Sequence, residues 1–164
     1  IFGATSGCVA CHPSDTATAL LALDAKIVTN KRTVNAADFF DGFTDTVLAA
    51  DEFVTEIQVP APPSGSKQGF AKASVRRAVD FAMANAACVI TPASGNVTSA
   101  AIAINAVGTK PMRATAAEQA LSGKTLAAGV EAAAAAAVSG TSALPYNKYK
   151  IELTKGIVRR VLTA

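Results

Sequence analysis

Residues 7–15, GCVACHPSD, place two cysteines, the only histidine of the chain and an aspartate within nine positions. Thiolates and a neutral imidazole bind zinc, and thiolates hold iron–sulfur clusters, so the stretch raises the question of a metal or redox site. Its donor set is incomplete. A structural zinc ion takes four ligands where Cys8, Cys11 and His12 offer three, and a cluster takes four thiolates where the whole chain has three cysteines. C-x-x-C-H also spells a haem-attachment pattern, but the match is short. Cys88, the third cysteine, sits in the apolar run ANAACVI and reads as a small core residue.

These residues lead straight into a helix signal. Pro13 suits a first turn, Ser14 or Asp15 can cap free N–H groups, and ATALLALDA is rich in helix formers, which predicts a helix over 13–23. KIVT follows as a strand, Asp38, Phe39 and Phe40 fall in a short turn or helix, and EFVTEIQVP alternates as a half-buried strand ending at proline. Two prolines with Gly and Ser in APPSGSKQG, residues 61–69, directly after Pro60, interrupt both periods and mark a linker. Beyond it FAKASVRR, DFAMANAACVITP and VTSAAIAINAVG read as strands, the last two joined by a turn at ASGN. Their continuous small-residue character suggests a sheet whose inner face is covered by helices. Residues 114–121 and 125–138 are helices closed by Gly123 and Gly140, and Tyr149, Leu153, Ile157 and Val161 form the apolar stripe of a terminal helix. The order of elements gives an α+β class.

Composition limits the possible roles. A chain of 164 residues makes one ordinary domain or two small ones, and with 5% aromatic residues and no Trp its core must be built of Ala, Val, Leu and Ile. A net charge of +3 spread over scattered Lys and Arg gives no nucleic-acid patch. The apolar run 126–138 is broken by Gly129 and Glu131, so no membrane span is expected. Three cysteines argue against a disulfide framework and for a cytoplasmic setting. The chain opens on Ile1 without the features of a signal peptide, and its start reads as an internal cut.

Four blocks, CHPSDTATALLALDAKIVTNKRTVNAADFF, DEFVTEIQVP, GFAKASVRRAVDFA and KPMRATAAEQALSGK, together resemble the FAD-binding medium subunit of the molybdenum hydroxylases, the xanthine dehydrogenase and carbon monoxide dehydrogenase group. The resemblance implies the C-terminal part of an FAD-binding domain over 1–60, the linker 61–69, and over 70–164 the subunit's C-terminal domain, an antiparallel sheet packed on helices. The family's Gly-rich pyrophosphate loops do not occur, and no G-x-G-x-x-G exists in the sequence. The missing N-terminal part would then belong to a longer subunit or come from a partner chain.

The resemblance also implies site residues. Asp15 would touch the ribose or adenine side of FAD, where a carboxylate can accept from hydroxyls, although the same residue could simply cap its helix. Lys72 would face phosphate or an anionic flavin, Phe81 would lie near the isoalloxazine or else in the core, and Val54 would run its backbone along the cofactor. Arg76 and Arg77 are either phosphate-facing or a solvated strand end. Cys8 is either a ligand of a 4Fe–4S cluster completed by upstream residues or a core thiol. The complex would include a molybdopterin-binding large subunit and a small subunit with 2Fe–2S clusters, the flavin passing their electrons to NAD or another acceptor. A non-catalytic docking module with the same fold is the alternative.

Overall fold

The computed structural model describes residues 1–2 and 7–164; residues 3–6, in the Gly- and Ser-containing opening segment, lie outside the described residues. Helix α1 (Asp15–Ala22) starts at Ser14, whose extended backbone (φ −80°, ψ 116°) lets its Oγ accept from the Ala17 N–H at 3.1 Å. That bond satisfies one of the donors every helix start leaves open. Strands β1 (Lys26–Thr29) and β2 (Thr33–Asn35), helix α2 (Ala36–Phe39) and strand β3 (Val54–Gln58) follow. The three strands form an antiparallel sheet in the order β2-β1-β3. The chain returning to β3 is fastened by Glu52, which accepts from Thr29 Oγ1 at 2.7 Å, Arg32 Nε at 2.9 Å and the Ala49 N–H at 3.1 Å. The Arg32 guanidinium first, then the Ala49 N–H and the Thr29 hydroxyl, hold its carboxyl down to about 2.

All five residues of β3 are exposed, against the expected half-buried strand. Alternation reports that a strand has two faces. It does not report that anything covers one of them. Among the described residues β3 is an outer strand whose single neighbour is β1; Val54 and Ile57 on it, and Phe53 and Val59 flanking it, are exposed.

The second sheet is antiparallel in the order β4-β5-β6-β7, from β4 (Lys67–Ala73), β5 (Ala84–Ala93), β6 (Asn96–Asn105) and β7 (Met112–Arg113). Strand pairing therefore begins at Lys67, inside the Pro- and Gly-containing stretch 61–69. The β5–β6 hairpin turns through Ser94 and Gly95, both at positive φ (51° and 84°), the backbone that matches the twist of a two-residue loop. Pro92 sits at a break in the β5 register, where the missing N–H is tolerated. β4 ends at Ala73, three residues from its expected start and before the expected FAKASVRR run is complete. Residues 74–83 form a loop in which Val79 holds φ 46°, a strained position for a β-branched residue.

Helices α3 (Thr115–Leu121), α4 (Leu126–Ala136) and α5 (Tyr149–Thr163) complete the chain. The expectation of one covered face is incomplete, because helices pack on both. α3 and α5 lie against one face with Ala86, Cys88, Ile90, Ile102 and Ile104, and α1 lies against the other, where Leu20 and Leu21 meet Ala87 and Ala103. Two-sided cover is why the first seven residues of β5 are all buried and why the strand is rich in alanine. Leu121 and Val158 are fully buried on the first face, each contributing about 1.5–3 kcal/mol. Gly69 permits the closest approach: a Cβ there would meet the Val161 carbonyl oxygen at 2.9 Å.

The buried side of α5 is Thr154, Ile157, Val158, Val161 and Leu162, while Tyr149 is exposed. Residues four apart advance about 40° around a helix, so a strict fourfold stripe walks off the face by its third step. Alternating steps of three and four keep the buried set aligned. Among the described residues no helix is long and apolar enough to cross a membrane.

Candidate functional site

The face of the second sheet that meets α1 carries three polar residues in one register row. Lys72 of β4 lies opposite Asn85 of β5, and Asn85 lies opposite Asn105 of β6. Each reaches the start of α1. Lys72 Nζ donates to Asp15 Oδ2 at 2.6 Å, and Asn85 Nδ2 donates to Asp15 Oδ1 at 2.6 Å. Asn105 Nδ2 donates to the Ser14 carbonyl at 2.9 Å. Thr18, one turn into the helix, donates from Oγ1 to Asn85 Oδ1 at 2.9 Å. Asn85 is 1% exposed and Thr18 is 0% exposed, so this pair lies inside the protein while Asp15 above it keeps 36% of its side chain in solvent.

The network fixes each amide. Asn85 must turn its nitrogen to the carboxylate and its oxygen to the hydroxyl, because the reverse would set acceptor against acceptor. His12 Nδ1 sits 3.2 Å from Asn105 Nδ2 and 3.4 Å from the Ser14 N–H, two donors, which places the ring proton on Nε2. Burial pushes the His12 pKa down, in keeping with a neutral ring, and Phe40 packs on it edge to face at 5.1 Å. Asn105 Oδ1 is buried without a partner among the described residues.

Two of the expected site residues thus meet. Asp15 and Lys72, 57 positions apart, form an ion pair, so Lys72 spends one of its three donors on the carboxylate. Phe81 belongs to the 74–83 loop, which leaves the sheet at the end holding the polar row, and it is 75% exposed. Val54 lies in the other sheet, opposite Thr29, and is exposed. Arg76 braces the loop, its N–H donating to Asp80 Oδ2 at 2.8 Å, and this bond above all holds the Asp80 carboxyl below its ordinary range. Arg77 is exposed.

Two of the cysteines line one cleft and the third lies in the core. Cys8 is exposed, on a cleft of about 160 Å³ that it shares with Ile1, Cys11 and Val107. Cys11 is half-buried with Lys150 Nζ at 3.6 Å, and Cys88 is buried against the Val161 carbonyl. Among the described residues no three His, Cys, Asp or Glu side chains gather as a metal site.

Asn85, Thr18 and Asn105 were not singled out from the sequence. The available signal was polarity in the wrong place: an asparagine inside an apolar run such as ANAACVI must find a partner once buried.

Residues 70–164 match the model of the CO dehydrogenase flavoprotein C-terminal domain, more than half of the chain, and residues 3–62 match the FAD binding domain in molybdopterin dehydrogenase. The chain belongs to the molybdenum hydroxylase flavoprotein family. Among its relatives in this family is the nicotine 6-hydroxylase medium subunit of Paenarthrobacter nicotinovorans, 34% identical over 87% of this chain and 53% of that one. The aldehyde oxidoreductase FAD-binding subunit of Escherichia coli is 33% identical over 74% of this chain and 40% of its own length. The carbon monoxide dehydrogenase structure from Hydrogenophaga pseudoflava superposes with a TM-score of 0.81 at 32% identity, covering 92% of this chain and 58% of that chain. The chain spans about half the length of the flavoprotein relatives it matches.

Proposed function

We propose that this chain is the flavin-holding portion of the medium subunit of a molybdenum hydroxylase complex. In this reading a molybdopterin-bearing large subunit oxidises the substrate, 2Fe–2S clusters in a small subunit carry the electrons, and FAD held here delivers them to NAD or another acceptor. The observation that carries it is Asp15. Its carboxylate is held from beneath by Lys72 and Asn85, yet it stays 36% exposed with lone pairs left to accept.

That arrangement fits the nucleotide half of FAD, whose ribose hydroxyls are donors. Asp15 would accept from them, Lys72 would offset its charge near the diphosphate, and Phe81, exposed on the adjoining loop, would give an apolar surface for a ring. When bound, FAD supplies the capacity to take electrons singly and release them as a pair. The chain's own residues bind and orient it.

The test is flavin retention. Asp15→Ala in the full-length natural protein should raise the FAD dissociation constant about tenfold or more, as expected for loss of hydrogen bonds to a charged acceptor. Unchanged flavin content after gel filtration would remove Asp15 from the site.

A further inference from the structure

The polar row under α1 contains a residue that no comparison and no motif assigns. Asn85 is buried in the middle strand, and both ends of its amide are used: Nδ2 on Asp15 Oδ1 at 2.6 Å, Oδ1 on the Thr18 hydroxyl at 2.9 Å. Asp15 itself has a rotatable side chain at a partly exposed helix start. Lys72 pulls on one carboxylate oxygen, and it does so from a flexible four-carbon stem with a mobile ammonium. A single cationic contact of that kind sets charge without setting direction. The amide, by contrast, is planar and is held in the core by a second hydrogen bond, so it has no freedom of its own to lend.

We infer that Asn85, braced by Thr18, is the positioning residue that aims the Asp15 carboxylate at the nucleotide ribose of FAD. The inference rests on the reading of Asp15 as a flavin contact and adds to it the element that gives the contact its direction. Thr18 donates to Asn85 Oδ1 and holds the amide with its nitrogen toward the carboxylate, where a flipped amide oxygen would meet another acceptor. The amide nitrogen then fixes Oδ1 of Asp15, the ammonium fixes Oδ2, and the remaining lone pairs face outward. A merely structural polar pair would support the fold equally for any ligand. A positioning pair acts only on a ligand that carries the ribose.

FMN supplies that distinction, because it keeps the isoalloxazine and one phosphate and lacks the adenosine ribose. Flavin-free full-length protein is titrated with FAD and, separately, with FMN, following flavin fluorescence, for wild type, Asn85→Ala, Thr18→Val and Thr18→Ser. Asn85→Ala is expected to weaken FAD about 10- to 100-fold, the range for a hydrogen bond to a charged group, and to leave FMN within about twofold. Thr18→Val, nearly the same shape without the donor, is expected to weaken FAD about 3- to 10-fold, with Thr18→Ser restoring it. Thr18→Val also keeps the test open if Asn85→Ala fails to fold. FAD affinity unchanged in the variants, or FAD and FMN falling in parallel, overturns the positioning role while leaving the flavin reading intact. Wild-type protein that takes up no FAD overturns both.

Discussion

Replacing Lys72 by Met keeps the apolar stem and removes the ammonium from Asp15. At 2.6 Å and an effective dielectric near 20, the gross attraction of the pair is about 6 kcal/mol. Little of that survives as net stability, because both side chains are partly wet, at 27% and 36% exposure. Fully exposed pairs contribute about 0.2–1 kcal/mol, and breaking a fully buried one costs about 3–5. The Lys72–Asp15 pair lies between these, with one partner also anchored by Asn85, and a coupling of about 1–2 kcal/mol is expected. For a protein of this size that is a fall in Tm of about 2–8 °C. The assay is a double-mutant cycle of Lys72→Met and Asp15→Asn in urea, run at about 0.05 M and 1 M salt. The coupling should shrink at high salt, since the pair is solvent-accessible on one side. A coupling below about 0.3 kcal/mol at low salt would refute the idea that this ion pair fastens α1 to the sheet.

Three other outcomes are expected. Gly69→Ala forces a Cβ to 2.9 Å from the Val161 carbonyl oxygen; overpacking of about 1–3 kcal/mol outweighs the roughly 0.5–1 kcal/mol that a strand gains on losing a glycine, and an unchanged or raised Tm would contradict this. Glu52, held at about 2 against an ordinary 4.5, binds its proton more readily in the unfolded chain, so its contribution is complete above about 4.5 and lost as pH falls toward 2. Glu52→Gln should therefore flatten the acid limb of a urea-midpoint profile, and an unaltered slope would count against it. Burial pushes the Cys88 thiol up to about 11, so iodoacetamide at pH 8 should label exposed Cys8 well before Cys88; equal rates by peptide mass would place Cys88 outside the core.

Local chemistry made parts of this fold readable and left others hidden. Pro13, Ser14 and Asp15 announce α1, and Ser-Gly at 94–95 announces the β5–β6 turn, because caps and turns are decided by neighbours in sequence. What covers a strand is decided by distant chain. β3 alternates and is nonetheless exposed, whereas β5 is buried on both faces and shows no alternation at all. The candidate site divides in the same way. Asp15 and Lys72 stood out singly through family resemblance, but their pairing depends on register across 57 residues. Asn85, Thr18 and Asn105 are ordinary in sequence and gain meaning only when two neighbouring strands bring the asparagines under the helix that carries Thr18.

That row has a consequence for how the molecule can be divided. The carboxylate comes from the stretch matched by one family model, 3–62, and all three groups that grip its helix come from the stretch matched by the other, 70–164. Cutting the chain between them would leave one piece with an unguided acid and the other with an unpaired lysine, an amide pair and an apolar sheet face open to water. The two pieces inherit a shared seam rather than separate sites, and selection on either must act through the other.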